Sequence, residues 1–106
     1  MSTATATAKE KLIVIFRKFE NGEVIAFFPT ETGTNDLWTC GSYMHIGEHS
    51  SASTDLIGSL SKCSPSEQYD LFNELNEIYG TSHQLIIKNR NHSSYFEKRR
   101  QKLISL

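Results

Sequence analysis

Two runs of β-branched and aromatic residues, Lys11 to Phe19 and Val24 to Phe28, flank the dipeptide Asn21-Gly22. Asn-Gly accepts the positive φ angles of a tight turn, so this arrangement is the strongest short-range hairpin signal a sequence offers. A two-residue loop there predicts Phe19 opposite Val24, Arg17 opposite Ala26 and Phe16 opposite Phe27. One face then carries Val14, Phe16, Ile25 and Phe27, and the other Ile13, Ile15, Phe19, Val24 and Phe28. Both faces are apolar away from the turn, which demands cover on both sides from a helix or a partner chain. A homodimer through the hairpin is one way to supply it. Pro29, with no donor for a strand ladder, is expected to close the second strand.

Further along, Trp38 to His45 reads as a third strand. Thr30 to Asp36 and Gly47 to Ser53 read as polar loops, and Thr54 to Leu60 as a short helical turn. Ser64-Pro65-Ser66-Glu67 supplies a capping serine, a proline at the first helical position and the glutamate of a capping box. Leu71, Phe72, Leu75, Ile78 and Tyr79 follow at helical spacing up to Gly80, which predicts a helix over 65–79. A fourth strand is expected at Gln84 to Asn89 and a final helix from Ser93 to Leu106. The pattern is α+β, with an antiparallel or mixed sheet of about four strands, one main helix on a face, and the order β-β-β-α-β-α. Residues 1–10 read as a flexible tail, 11–90 as a single domain and 91–106 as a basic helical extension. The expected core is Leu12, Val14, Phe16, Ile25, Phe27, Leu71, Phe72, Leu75, Ile78, Leu85 and Ile87. Trp38, Tyr43 and Tyr79 read as core or rim residues.

The formal net charge of −1 hides a polarity. From Lys88 onward the chain holds six of its eleven basic residues and one of its twelve acidic ones, leaving about −6 on the rest. No apolar run reaches the roughly 18 residues of a membrane span, so no membrane partner is expected. The first residues lack the basic and apolar regions of a secretory leader. With two cysteines and no leader, a reducing cytoplasmic setting is the expectation.

Four side chains offer nitrogen or sulfur to a metal: Cys40, His45, His49 and, farther on, Cys63. Four such ligands are what a structural zinc site requires, although Cys-x4-His-x3-His is not a standard finger spacing. The alternative reading makes Cys40 a core residue and the histidines loop decoration. A nucleophilic reading takes Cys40 or Ser42 activated by His45 or His49, with Glu48 or Asp55 orienting the imidazole. Phosphate-binding glycine loops are absent from the sequence, and no cofactor other than zinc is suggested. The second candidate is the basic segment Lys88, Arg90, Lys98, Arg99, Arg100 and Lys102. With Tyr95 beside them, these cations have the composition that contacts phosphates and stacks on bases. They equally suit a helix C-terminus, or pairing with the acidic main helix at Glu67, Asp70, Glu74 and Glu77.

The stretches Val14–Phe19 to Phe28-Pro29 and Thr39–His49, together with the helix from Pro65 to Tyr79, resemble a set of small proteins of bacteria and their mobile elements. The likeness spans residues 12 to 90 and is most specific in Cys-x-Ser-Tyr-x-His-x-Gly-x-His. It implies no catalytic residue and no biochemical role, and it makes the basic segment after Arg90 an extension that need not share the domain's function. The leading expectation is a non-enzymatic binding or accessory module, with a nucleic acid or a protein as partner.

Overall fold

The computed structural model describes residues 9–45 and 48–104. Of the flexible tail expected over residues 1–10, residues 1–8 lie outside the described residues, as does Gly47 at the start of the expected second loop, while Glu10 already belongs to the first strand. The elements are β1 (Glu10–Lys18), β2 (Val24–Thr32), β3 (Thr39–Met44), β4 (Glu48–Ser53), α1 (Asp55–Ser59), β5 (Ser61–Lys62), α2 (Pro65–Tyr79), β6 (His83–Ile87) and α3 (Ser94–Ile104). The class is α+β, but the sheet has six strands rather than about four. Glu48 to Ser53, expected as loop, is a strand paired along its whole length with β3. The sheet runs β4-β3-β2-β1. Beyond β1 lie two short neighbours, β6 parallel along Glu10 to Val14 and β5 antiparallel at Arg17 and Lys18. The hairpin is thus the centre of the sheet, with β3 along one side and β6 and β5 along the other.

Its register departs from expectation by one residue. Ile15 faces Phe27, Phe16 faces Ala26 and Lys18 faces Val24. Phe19 accepts from the Gly22 amide and donates to the Glu23 carbonyl, both at 2.9 Å, and Gly22 takes φ +91°. One glycine in the left-handed region thus makes a bulged turn instead of a two-residue loop. A slip of one residue transfers a strand's side chains to the other face. Ala26 and Phe28 therefore join Leu12, Val14, Phe16 and Tyr43, while Ile25 and Phe27 join Ile15 and Cys40.

Pro29 does not end β2. Between Phe28, opposite Gly41, and Thr32, opposite Cys40, the residues Pro29 to Glu31 bulge out of the ladder. The missing donor of proline costs nothing in a bulge, which is where strands tolerate it.

Each face of the sheet has its own helical cover. α2 begins with the expected capping box: the Ser64 side chain accepts from the Glu67 amide, and the Glu67 carboxylate accepts from Ser64 N. It packs Leu71 and Leu75 on Leu12, Val14, Phe16 and Phe28. It ends on Gly80, which stays right-handed at φ −62°. On the opposite face lie Ile57 of α1 and Tyr95 of α3, against Ile15, Ile25, Phe27 and Cys40. The helix expected as an extension after residue 90 is therefore packed on the sheet. Two expected core residues sit at the margins, since Ile78 and Ile87 are exposed. Ile15, Cys40, Ile57 and Tyr95 take that role on the second face.

Two buried arginines tie this second face together. Arg17 of β1 donates to the carbonyls of Ile57 (2.7 Å), Phe16 (3.0 Å) and Asn89. Arg99 of α3 donates to the carbonyls of Leu37 (3.0 Å) and Pro29 (2.6 Å), so the β2 bulge presents an acceptor to α3. Burial lowers both guanidinium pKa values from the usual arginine value. Charge-assisted hydrogen bonds to buried carbonyls contribute about 1.5–3 kcal/mol each. Arg99→Ala is expected to lower unfolding free energy in urea by about 2–4 kcal/mol by orphaning two carbonyls. Arg99→Lys should recover only part of it, because an ammonium lacks the planar fork. A loss under about 0.5 kcal/mol would show that water replaces the guanidinium.

Candidate functional site

The Cys40–His49 segment includes most of β3 and the start of β4, and its Tyr43, His45 and His49 side chains contact α2. Tyr43, buried, donates its hydroxyl to Glu74 of α2. His45 Nδ1 lies 2.5 Å from the other oxygen of the same carboxylate. Directly across the ladder from Tyr43, the His49 ring packs at 4.5 Å on it, and its Nε2 lies 2.6 Å from the Tyr79 hydroxyl. Burial and the nearby Glu31 raise the Tyr79 pKa. These contacts make a clasp between the β3–β4 hairpin and α2. Nothing in the spacing of Glu74 and Tyr79 marks them as partners of a strand some 30 residues away. Glu74→Ala is expected to cost about 1–3 kcal/mol, with amide exchange rising first in β4. Unchanged exchange in β4 would show that backbone pairing alone holds the strand.

The four expected metal ligands are not brought together. Cys40 faces α1 and α3, whereas His49 and Cys63 lie on the α2 side of the sheet. Among the described residues no three His, Cys, Asp or Glu side chains converge on a metal position. The same division separates the two cysteines, and both are free thiols. Cys40, fully buried, has its pKa pushed up to about 11 by desolvation. Ser42, the alternative nucleophile, is buried as well.

A thiol raised from 9.0 in the unfolded chain to about 11 in the folded one makes its full contribution below pH 9 and loses it as pH rises toward 11. Wild type is therefore expected to lose about 2 kcal/mol more stability than Cys40→Ala between pH 8 and 10.5. Parallel losses in the two proteins, by urea unfolding, would show that Cys40 titrates alike in both states.

The basic candidates divide into two groups. Arg99 is buried in the contacts described above, Arg100 is held by Glu97 at 2.8 Å, and Lys102 pairs with Glu31 at 2.5 Å. Lys88, Arg90 and Lys98 are exposed and have no carboxylate partner among the described residues. Lys88 and Lys98 meet Lys102 and Lys11 around an open cleft of about 780 Å³ between α3 and the β1–β6 edge. Ile13 and Ile86, partners in the parallel register, line it as well, and so do the carboxylates Glu10 and Glu31. Lys11 belongs to the opposite end of the chain from the basic segment. Only the parallel pairing of β1 with β6 puts it there, so no local pattern announces it.

On the other flank of α3, Trp38 packs on Phe96 with ring centroids 4.9 Å apart, and yet it remains 62% exposed. Tyr95, the aromatic that the sequence placed among the cations, is buried against the sheet. Set against family models, curated proteins and solved structures, the chain matches none of them. Among the described residues no helix is long and apolar enough to cross a membrane.

Proposed function

We propose that this chain is a non-enzymatic binding module, and that the lysine cleft takes the phosphate backbone of a nucleic acid. The observation that carries the reading is the convergence of Lys11, Lys88, Lys98 and Lys102 from β1, the end of β6 and α3. An open cleft with several ammonium groups at its walls suits a continuous polyanion better than a small molecule, which favours an enclosed apolar pocket. The buried thiol and serine of the Cys40 segment, and its histidines committed to α2, favour binding over nucleophilic catalysis. Two free cysteines suit the cytoplasm as its compartment.

Counterion release gives this reading a signature. Each phosphate contact contributes about 0.7 to the slope of log K against log salt for a single strand. With Lys102 engaged by Glu31, the cleft lysines Lys11, Lys88 and Lys98 and the exposed Arg90 two residues after Lys88 together predict a slope near −3, or about a 50-fold loss of affinity between 50 and 200 mM salt. The measurement is fluorescence anisotropy of a labelled oligonucleotide. Lys88→Ala combined with Lys98→Ala should flatten the slope by about 1.4. Point variants are needed because deleting the segment after Arg90 removes α3 and uncovers a face of the sheet. No binding, or a slope that the double variant leaves unchanged, would overturn the reading.

A further inference from the structure

A phosphate cleft alone does not say whether one strand or two is bound; the far flank of α3 does. Trp38, in the loop before β3, is more exposed than any other aromatic residue described except Tyr69, which has the same exposure. Its ring leans on Phe96 at an interplanar angle of 42°, so one face is propped and much of the remainder meets solvent. Together with Thr54 and the turn Asn91-His92-Ser93 the two rings outline a second cleft of about 320 Å³. His92 Nδ1 accepts from the Ser94 amide at 3.1 Å, which leaves Nε2 as an N–H donor on an exposed side chain at that cleft. Arg99 lies against Phe96 at 5.7 Å from beneath, and its cationic charge makes the neighbourhood favourable to an anionic ligand.

We propose that the nucleic acid is single-stranded and that Trp38 stacks on one of its bases while the lysine cleft holds the adjoining phosphates. This rests on the nucleic-acid reading above and adds the strandedness and the second contact. A helix with its side chains is about 10–12 Å across, so one strand of several nucleotides spans both flanks of α3. Base faces are open to an indole only in a single strand, where aromatic stacking is tolerant of sequence. A duplex would instead bring a second row of phosphates toward a protein that carries eleven of its twelve acidic residues outside the basic segment.

Trp38 is the sole tryptophan, so intrinsic emission reports this position alone. The test titrates the full chain with a thymine oligonucleotide of roughly 12 nucleotides, within the ~4–16 typical of one binding fold. Controls are an abasic strand of equal length and the matching duplex, with binding followed separately by anisotropy of an end label. The expected result is quenching by the thymine strand, binding without quenching by the abasic strand, and weaker binding by the duplex. Trp38→Leu should weaken the thymine strand by about 5- to 150-fold and leave the abasic strand unaffected. Trp38→Phe, which keeps a ring against Phe96, should retain most of the affinity and guards against a leucine variant that misfolds. Salt-dependent binding with unchanged emission, and equal affinity for thymine and abasic strands, would overturn the stacking and leave the lysine cleft standing. Failure of every strand to bind would remove both.

Discussion

A strand pair that is apolar on both faces cannot sit on the outside of a small protein. Here it occupies the centre of the sheet, and the other elements follow from having to cover it twice. α2 covers one face with Leu71 and Leu75, while α1 and α3 cover the other with Ile57 and Tyr95. The second cover is built from shorter pieces with less apolar area, and there the two arginines appear. Arg17 and Arg99 reach backbone carbonyls that short helices, a bulge and a loop would otherwise bury without donors. Satisfying those acceptors with guanidinium groups keeps the polar cost of an irregular layer small.

The parts of the fold legible in the sequence were those set by short-range chemistry. The capping box at Ser64 to Glu67 and the helical stripe after it define α2 to the residue. The hairpin was legible as an element but not in its register, because Asn21-Gly22 serves a two-residue loop and a bulged turn equally well. That choice moved Ile25 and Phe27 across the sheet. β4 was hidden because Glu48 to Ser53 has no apolar alternation: it is an edge strand of mostly small polar residues, held by its ladder to β3. Reading α3 as an extension came from its run of basic residues and from a resemblance that stops at residue 90. Its attachment depends on Tyr95 and Arg99, and a buried arginine looks like a surface residue in a sequence.

The candidate site divides the same way. The histidines looked like ligands because they are close in sequence, yet strand alternation sends Cys40 to one face and His49 to the other. The basic segment was visible as charge, but which cations stay available depends on the carboxylates and carbonyls that the fold sets beside Arg99, Arg100 and Lys102. Lys11 and Trp38 completed the surface from distant parts of the chain, where only the sheet order brings them near α3.

The parallel ladder between β1 and β6 ties residue 10 to residue 83. During synthesis β1 and β2 emerge first, and local antiparallel pairing can carry the chain through β4. Until β6 leaves the ribosome, the outer edge of β1 along Glu10 to Val14 stays open beside Leu12 and Val14, both apolar. A nascent chain of this kind passes through its most association-prone state when the meander is already formed, and β6 acts as its closure. The strand that ends the chain's exposure to its neighbours on a polysome lies immediately before the segment that carries the cations.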